Sequence, residues 1–334
     1  MSPRRDRRRR PNRPGQPADR QPAPARDEPQ AERRPGLFGG ALAGTAESPL
    51  PPMGRSLGRG FLTVAAQPVL TVVAVVTPVL AWLGLIALGF EGLPNRLVDV
   101  LALPPISTYF DLGTGTSRFG LGPAFLTYLG VSMLLRTLLY SYLTGAIVEA
   151  LTDGRISRYG LLLGVTAIPT VLLVQVASFT LIVVGNLFLP VLGPGIGFLG
   201  FVAALVAGLY FLGFAPFAAV QERRPVMETV RRSARAAMLP GGRHLILSSL
   251  YFFLALPVAL GLSPGGSEIT ANPSLATWVF AAFANVLHVG FMAAFAYRWI
   301  VAEPSVPDQR VRRRAQPRDQ TRAQTRTGSR ARRG

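Results

Sequence analysis

An arginine stands in the middle of the apolar stretch SMLLRTLLYSYL, with leucines on both sides of it. On a helix, Ser132 and Tyr140 lie one turn before and one turn after Arg136, on the same face. A charge at the centre of a bilayer costs about 3 kcal/mol on insertion scales, so it faces the bundle interior or a watery cavity. Ser132, Arg136 and Tyr140 are therefore a candidate polar site inside the membrane, suited to an anion or a polar substrate.

The apolar run that contains Arg136 is longer than a membrane requires. Residues 121–151 would form about 45 Å of helix, whereas the hydrocarbon core is about 30 Å thick. Arg136 can then lie away from the midplane and extend its side chain towards the outer interface. We favour this structural role over a ligand site, and a contact between subunits is a third alternative.

A second pair of polar residues, Asn285 and His288, lies in the last apolar run, three positions apart and so on one helical face. A hydrogen bond between helices is the favoured role, with ligand binding as the alternative. The chain has two histidines and no cysteine, and Glu149 is the acidic residue that we place inside an apolar run. We therefore predict neither a metal site nor a proton relay.

Two common enzyme motifs are missing from the sequence. It contains no H-E-x-x-H and no phosphate-binding Gly-Lys-Ser/Thr loop. Paired aspartates for intramembrane proteolysis are also absent. We predict no catalytic residue, no cofactor and no metal ligand, and we expect the protein not to be an enzyme.

Six long apolar runs define the expected fold. Hydrophobic residues make up 49% of the chain, and about 20 apolar residues in helical form cross a bilayer. Main-chain polar groups in hydrocarbon must be satisfied within the segment, which favours helices over strands. The prediction is an all-α bundle of about six transmembrane helices, over residues 69–90, 125–149, 161–188, 196–220, 244–262 and 276–300. Outside the membrane, NRLVDVLALP is expected to form a short interfacial helix.

Arginine placement predicts the orientation of this bundle. The formal net charge of +18 is carried by residues 1–60, 221–243 and 303–334. Basic and non-basic links alternate along the chain, so the positive-inside rule puts both termini in the cytoplasm. The domain prediction is a disordered tail over 1–53, a membrane domain over 54–302 and a second disordered tail over 303–334. We expect a multi-pass protein of the bacterial cytoplasmic membrane.

The link between the fourth and fifth runs predicts an amphipathic cytoplasmic helix over residues 225–239. Met227, Val230, Ala234 and Met238 recur at helical spacing and form an apolar stripe. Such a helix lies on anionic lipid. We favour a topology anchor over a docking surface for lipid or a partner. The predicted contacts with the inner leaflet are Arg223, Arg224, Arg231, Arg232 and Arg235.

Residues 211–257, FLGFAPFAAVQERRPVMETVRRSARAAMLPGGRHLILSSLYFFLALP, carry a resemblance to a known family. A span ends at a Phe/Pro pair, a short charged helix follows, and a Gly-Arg turn leads into the next span. This layout resembles the membrane domain found beside some glycerophosphoryl diester phosphodiesterases and its free-standing bacterial relatives. TGAIVEALTDGRISRYGLLLG fits the same plan. The resemblance implies a fold and an accessory role, and it carries over no catalytic residue, because the hydrolase domain has no counterpart here.

The leading functional expectation is a non-enzymatic membrane protein that acts as a scaffold or accessory component. Its expected partners are anionic lipids of the inner leaflet and another membrane protein or a second copy of the chain. Both arginine-rich tails lack stacking aromatic residues, so nucleic acid is not an expected partner. The alternative is a transporter or permease-like subunit with Arg136 on a polar path, and an intramembrane enzyme is third.

Overall fold

The computed structural model describes residues 48–91, 97–107, 122–188, 193–259 and 269–306. These residues form helices, short helical turns and connecting segments, and none of them is in a strand. The prediction of an all-α fold is confirmed for this part of the chain. Most of the two predicted disordered tails lies outside the described residues.

Ten α-helices follow one another along the described part of the chain. The first five are α1 (Met53–Ala66), α2 (Pro68–Ala87), α3 (Pro123–Asp153), α4 (Arg158–Gly164) and α5 (Ile168–Phe188). The second five are α6 (Pro194–Leu212), α7 (Ala215–Glu222), α8 (Val226–Ala237), α9 (Arg243–Ala259) and α10 (Leu275–Ala302). Among these helices, α2, α3 and α6 have a proline in their first turn. The fixed φ of proline fits a helix, and an N–H at that position would have no partner within the helix.

Five helical segments are long and apolar enough to cross a membrane, which indicates an integral membrane protein. They are Pro68–Ala87, Pro123–Asp153, Arg158–Leu181, Val202–Glu222 and Leu275–Ser305. The segment Arg243–Pro257 is apolar but shorter, so it falls below the length of the other five. The structure thus confirms five of the six predicted spans by length and composition.

Large apolar side chains on these helices point away from the protein. Leu80 is 60% exposed, Leu199 is 68% exposed and Phe283 is 65% exposed. Many other leucines, valines and isoleucines of the spans share this exposure. Soluble monomers rarely expose contiguous apolar surface of this extent. In a bilayer this surface contacts lipid tails instead of water, and lipid tails are as apolar as these side chains.

Small residues allow the helices of the bundle to pack closely. Gly60 of α1 faces α10, where a Cβ on it would lie 2.6 Å from the Gly290 carbonyl oxygen. Gly290 in turn leaves room for the Phe61 ring. Close backbone approach of this kind gains dispersion contacts, which drive helix association in lipid. Helices α1 and α10 are consequently in contact along much of α1.

Helices α3 and α4 form a second tight pair. Gly145 on α3 meets the backbone of Gly160 and Gly164 on α4 so closely that a side chain on any of them would collide. The turn between the helices is fixed by Glu149, whose carboxylate accepts bonds from the Ser157 amide at 2.7 Å and hydroxyl at 2.5 Å. Glu149 therefore has a structural partner at this end of the span.

Residues 97–107 enter the bundle and are buried along their whole length. We call this segment the plug. The sequence predicts an interfacial helix over NRLVDVLALP, whose first two residues lie outside the described part of the chain. The described part has the short 3-10 turn Leu97–Asp99, a bend, and a helical turn over 104–107. Irregular backbone at membrane depth needs polar partners from the surrounding protein. Helices α9 and α10 supply those partners, as described next.

Candidate functional site

Asn285 of α10 holds the plug in place through its side-chain amide. Its Oδ1 accepts a hydrogen bond from the Leu101 amide at 3.0 Å. Its Nδ2 donates to the carbonyl oxygens of Leu97 and Ala281, both at 2.8 Å. One side chain thus satisfies two main-chain groups of the plug and fastens it to α10. The sequence predicts a hydrogen bond between helices for this position, whereas these bonds of Asn285 go to the plug and to its own helix.

Tyr251 of α9 fixes the plug from the other side. Its hydroxyl oxygen accepts a bond from the Leu103 amide at 2.8 Å. The same hydroxyl is 2.9 Å from His288 Nδ1. Because the amide donates to the hydroxyl, the hydroxyl proton is free to point at Nδ1. The second ring nitrogen of His288 then carries the imidazole proton.

That second nitrogen faces Asp99 at the tip of the plug. His288 Nε2 and Asp99 Oδ1 are 3.7 Å apart, and the two side chains are 2% and 1% exposed. Neither Asp99 oxygen has a hydrogen-bond partner among the described residues. A buried carboxylate of this kind is compensated by the charge or N–H of its neighbour. We call Asp99, Tyr251, Asn285 and His288 the plug cluster.

The depth of the plug cluster makes it an intramembrane site. His288 lies about 20 Å along α10 from Leu275, at 1.5 Å per residue. A hydrocarbon core is about 30 Å thick, so the Asp99–His288 pair is well inside the span. The pair brings an imidazole and a carboxylate to within 3.7 Å of each other, with both side chains buried.

Helix α3 brings its polar face towards the same region. Ser132, Arg136 and Tyr140 are all buried, as their shared face predicts. The Tyr140 hydroxyl has no hydrogen-bond partner among the described residues. Arg136 engages other groups of the chain. The structure therefore does not leave Arg136 as an isolated charge.

Sequence analysis missed two members of the plug cluster. Neither Asp99 nor Tyr251 is singled out there. A single acid among apolar residues, VDVLALPP, is the signal that was available for Asp99. Its burial depends on how the plug folds back into the bundle, which no local pattern reveals.

The predicted lipid-contacting arginines divide into two groups. Arg224 lies 2.7 Å from Glu222 and 2.6 Å from Glu228, and Arg232 lies 2.8 Å from Glu222. The Arg232 side chain is only 4% exposed. These two arginines tie α7 to α8 within the protein. Arg223 donates to the Tyr159 hydroxyl at 2.7 Å, Arg231 is exposed and Arg235 is half-buried.

Helix α8 has one face on the bundle and one face outward. Its buried residues are Thr229, Arg232, Ser233, Ala236 and Ala237. The Ser233 hydroxyl donates to the Phe211 carbonyl at 2.7 Å, and the Tyr210 hydroxyl donates to the Ala237 carbonyl. The predicted apolar stripe faces the other way, with Met227 57% exposed. Met227, Arg231 and Met238 share this outward face by helical spacing.

Other site classes find no support in the described residues. Groups of three or more acidic, His or Cys side chains that could hold a metal ion are absent from the described part of the chain. Comparison with models of known protein families, with curated proteins and with solved structures gives no match. The resemblance to the membrane domain beside the phosphodiesterases therefore stays a prediction.

Proposed function

We propose that this chain is a non-enzymatic membrane protein that acts as a scaffold or accessory component at the inner leaflet of a bacterial cytoplasmic membrane. The observation that carries the proposal is the outward face of α8. Ion pairs to Glu222 fix the helix on the bundle, while Met227, Arg231 and Met238 remain exposed. Exposed apolar side chains beside an exposed arginine suit the membrane interface, where acyl chains meet anionic headgroups.

The proposed topology has six spans with both termini in the cytoplasm. Helix α9 supplies the sixth span, since its 17 residues extend for about 25 Å and its sequence is apolar. The basic segment that contains α8 then lies inside, together with the arginine-rich ends of the chain. This sidedness places Met227 and Arg231 against the inner leaflet.

A fluorescent label can test the contact between α8 and lipid. The chain has no cysteine, so Met227→Cys creates a single labelling site. We expect brominated phosphatidylglycerol in nanodiscs to quench a label at this position, as it quenches one at the lipid-facing position Leu162→Cys. Adding Arg231→Gln should weaken the quenching at position 227 and leave that at 162 unchanged. Quenching confined to position 162 would refute the contact.

A permease-like subunit is the second candidate function, and the plug cluster is the observation that favours it. A buried Asp99–His288 pair beside a re-entrant segment resembles the midplane sites of transporters in its general layout. Arg136 lies on the buried polar face of α3, which packs against α10, the helix that carries His288.

Proteoliposomes that contain a pH-sensitive dye distinguish the two functions. A permease that uses the pair predicts proton flux under an imposed potential, and Asp99→Asn abolishes that flux. Arg136→Leu likewise reduces flux while expression holds. The scaffold predicts no flux above empty vesicles for the wild-type protein or for either variant.

A further inference from the structure

Arg298 of α10 is a completely buried cation, with a relative exposure of 0%. Its Nε, Nη1 and Nη2 atoms all lack a hydrogen-bond partner among the described residues. A guanidinium carries five N–H donors and has no acceptor. Burying such a group without partners is costly, so its presence requires compensation from another molecule or another group.

The described neighbours of Arg298 do not supply that compensation. Arg243, the first residue of α9, precedes His244, whose ring lies 5.4 Å from that of Phe295, one turn before Arg298 on α10. Arg243 Nη1 donates to the Leu50 carbonyl at 2.9 Å, a neutral acceptor. Glu222, an acid near this end of the bundle, already pairs with Arg224 and Arg232. Two cations therefore lie together, and neither forms an ion pair within the described residues.

His244 is the third side chain in this group. It is buried, and it is near enough to Arg298 to feel its charge. Its Nε2 faces the Tyr210 carbonyl at 3.0 Å and must donate, because a carbonyl oxygen only accepts. Its Nδ1 has no partner among the described residues. The ring stacks on Phe214 at 4.0 Å, which fixes its orientation.

The position of these residues at a helix start adds to the positive potential. Arg243 and His244 open α9, whose N-terminal main-chain N–H groups carry the positive end of the helix dipole. The whole neighbourhood is thus rich in donors and positive charge. An anion with several acceptor oxygens would complement all of them together.

We propose that Arg298 and Arg243, beside the ring of His244, form a binding site for a phosphate group. A phosphate presents several charged oxygens, which match the planar donor fork of arginine. Either free inorganic phosphate or the phosphate of a lipid headgroup has this chemistry. The site is separate from the outward face of α8, so this proposal and the proposed function can fail independently.

The segment before α1 covers this region and provides a route of access. Leu50 is buried and accepts the bond from Arg243. Ser48 lies against Gly241, where a Cβ would come within 2.6 Å of the serine side chain. Gly241 has a φ of +112°, a conformation that other residues rarely adopt. Displacing the few residues 48–52 would open the arginines to the membrane surface.

The test uses the full-length protein in a maltoside detergent, which contains no phosphate. Native mass spectrometry and thermal unfolding are recorded with inorganic phosphate, with a short-chain phosphatidylglycerol and with a diacylglycerol of the same chain length. The proposal predicts one phosphate-bearing adduct per chain and a higher unfolding midpoint. Binding of inorganic phosphate identifies the free anion, and binding confined to the phospholipid identifies the headgroup. Binding of neither, or equal binding of the diacylglycerol, overturns the proposal.

Variants separate a ligand site from a packing role. Arg298→Met should bind the phosphate compound at least 10-fold more weakly and should abolish the ligand-induced rise in midpoint. Without ligand its midpoint should exceed that of the wild type, because an uncompensated buried charge is removed. Arg243→Gln, at a half-buried position, should also weaken binding, whereas the exposed Arg55→Gln should bind as the wild type does. A lower midpoint for Arg298→Met with unchanged ligand shift would show that the arginine only packs.

Discussion

Helix α10 carries two buried polar residues ten positions apart, His288 of the plug cluster and Arg298. The two regions differ in how their charges are compensated. In the plug cluster, a carboxylate faces an imidazole, and Asn285 and Tyr251 satisfy the main chain around them. Around Arg298, cations and N–H donors meet no described counter-charge. The first group explains how an irregular segment stays inside the bundle. The second is complete only when another molecule supplies acceptors.

The difference shows that burial of a polar residue does not by itself indicate a function. Asn285 and Tyr251 are as deeply buried as Arg298, yet each has partners that account for its burial. A structural role needs satisfied bonds, because hydrocarbon offers none. An unsatisfied donor set is the stronger pointer to a ligand.

The largest expected effect comes from removing the amide that anchors the plug. Asn285→Leu leaves the Leu101 amide and the Leu97 carbonyl buried without partners, which should lower the free energy of unfolding by about 4 kcal/mol. Denaturation in mixed micelles measures the change. Thr180→Val, at an exposed threonine that bonds only within its own helix, is the control. A loss no greater than that of the control would mean that the plug is not held by Asn285.

A second variant removes an ion-pair partner from a buried arginine. Glu222→Ala removes the carboxylate that lies 2.8 Å from Arg232 Nε, while Arg232 keeps its other contacts. Breaking a buried pair by deleting one partner should cost about 3 kcal/mol. The same micelle titration measures it. Unchanged stability would show that the Glu222–Arg232 pair does not hold α7 and α8 together.

Tyr251→Phe removes a single hydroxyl from the plug cluster and should have a smaller effect. The variant keeps the ring but removes the hydroxyl that accepts from Leu103 and contacts His288. We expect a loss of about 2 kcal/mol, since one buried amide and one ring nitrogen lose their partner. Hydrogen exchange should accelerate in peptides that cover residues 97–107. Unaltered exchange there would exclude the anchoring role of this tyrosine.

The smallest expected effect has the opposite sign. Arg298→Met in the ligand-free protein should raise the free energy of unfolding by about 1 kcal/mol, because replacing an uncompensated buried charge by an apolar side chain is favourable. Arg55→Gln, at an exposed arginine, should leave stability unchanged. Destabilisation by Arg298→Met would indicate that a hidden partner already compensates the charge.

The sequence predicts the helices better than it predicts the polar clusters. Apolar runs of sufficient length follow from local spacing, and the structure confirms five spans. The face shared by Ser132, Arg136 and Tyr140 also follows from spacing, and the structure buries all three side chains. Asn285 and His288 were also recognised from their three-residue spacing. These features depend on helical periodicity alone.

The missed residues depend on tertiary contacts. Asp99 lies in a segment that local spacing predicts as an interfacial helix, and only the folding of the plug into the bundle buries it. Arg298 lies close to the end of an apolar run, where an arginine usually extends to the interface. Whether such a side chain turns outward or into the bundle is decided by its neighbours on α9 and the segment before α1.

A single set of unfolding curves tests the contrast most directly. The wild type, Asn285→Leu and Arg298→Met are unfolded in maltoside micelles with and without the short-chain phosphatidylglycerol and inorganic phosphate. We predict that Asn285→Leu lowers the midpoint but keeps the ligand-induced rise, and that Arg298→Met raises the ligand-free midpoint and loses the rise. A rise that survives Arg298→Met, or that disappears in Asn285→Leu, would contradict the assignment of structure to one region and ligand binding to the other.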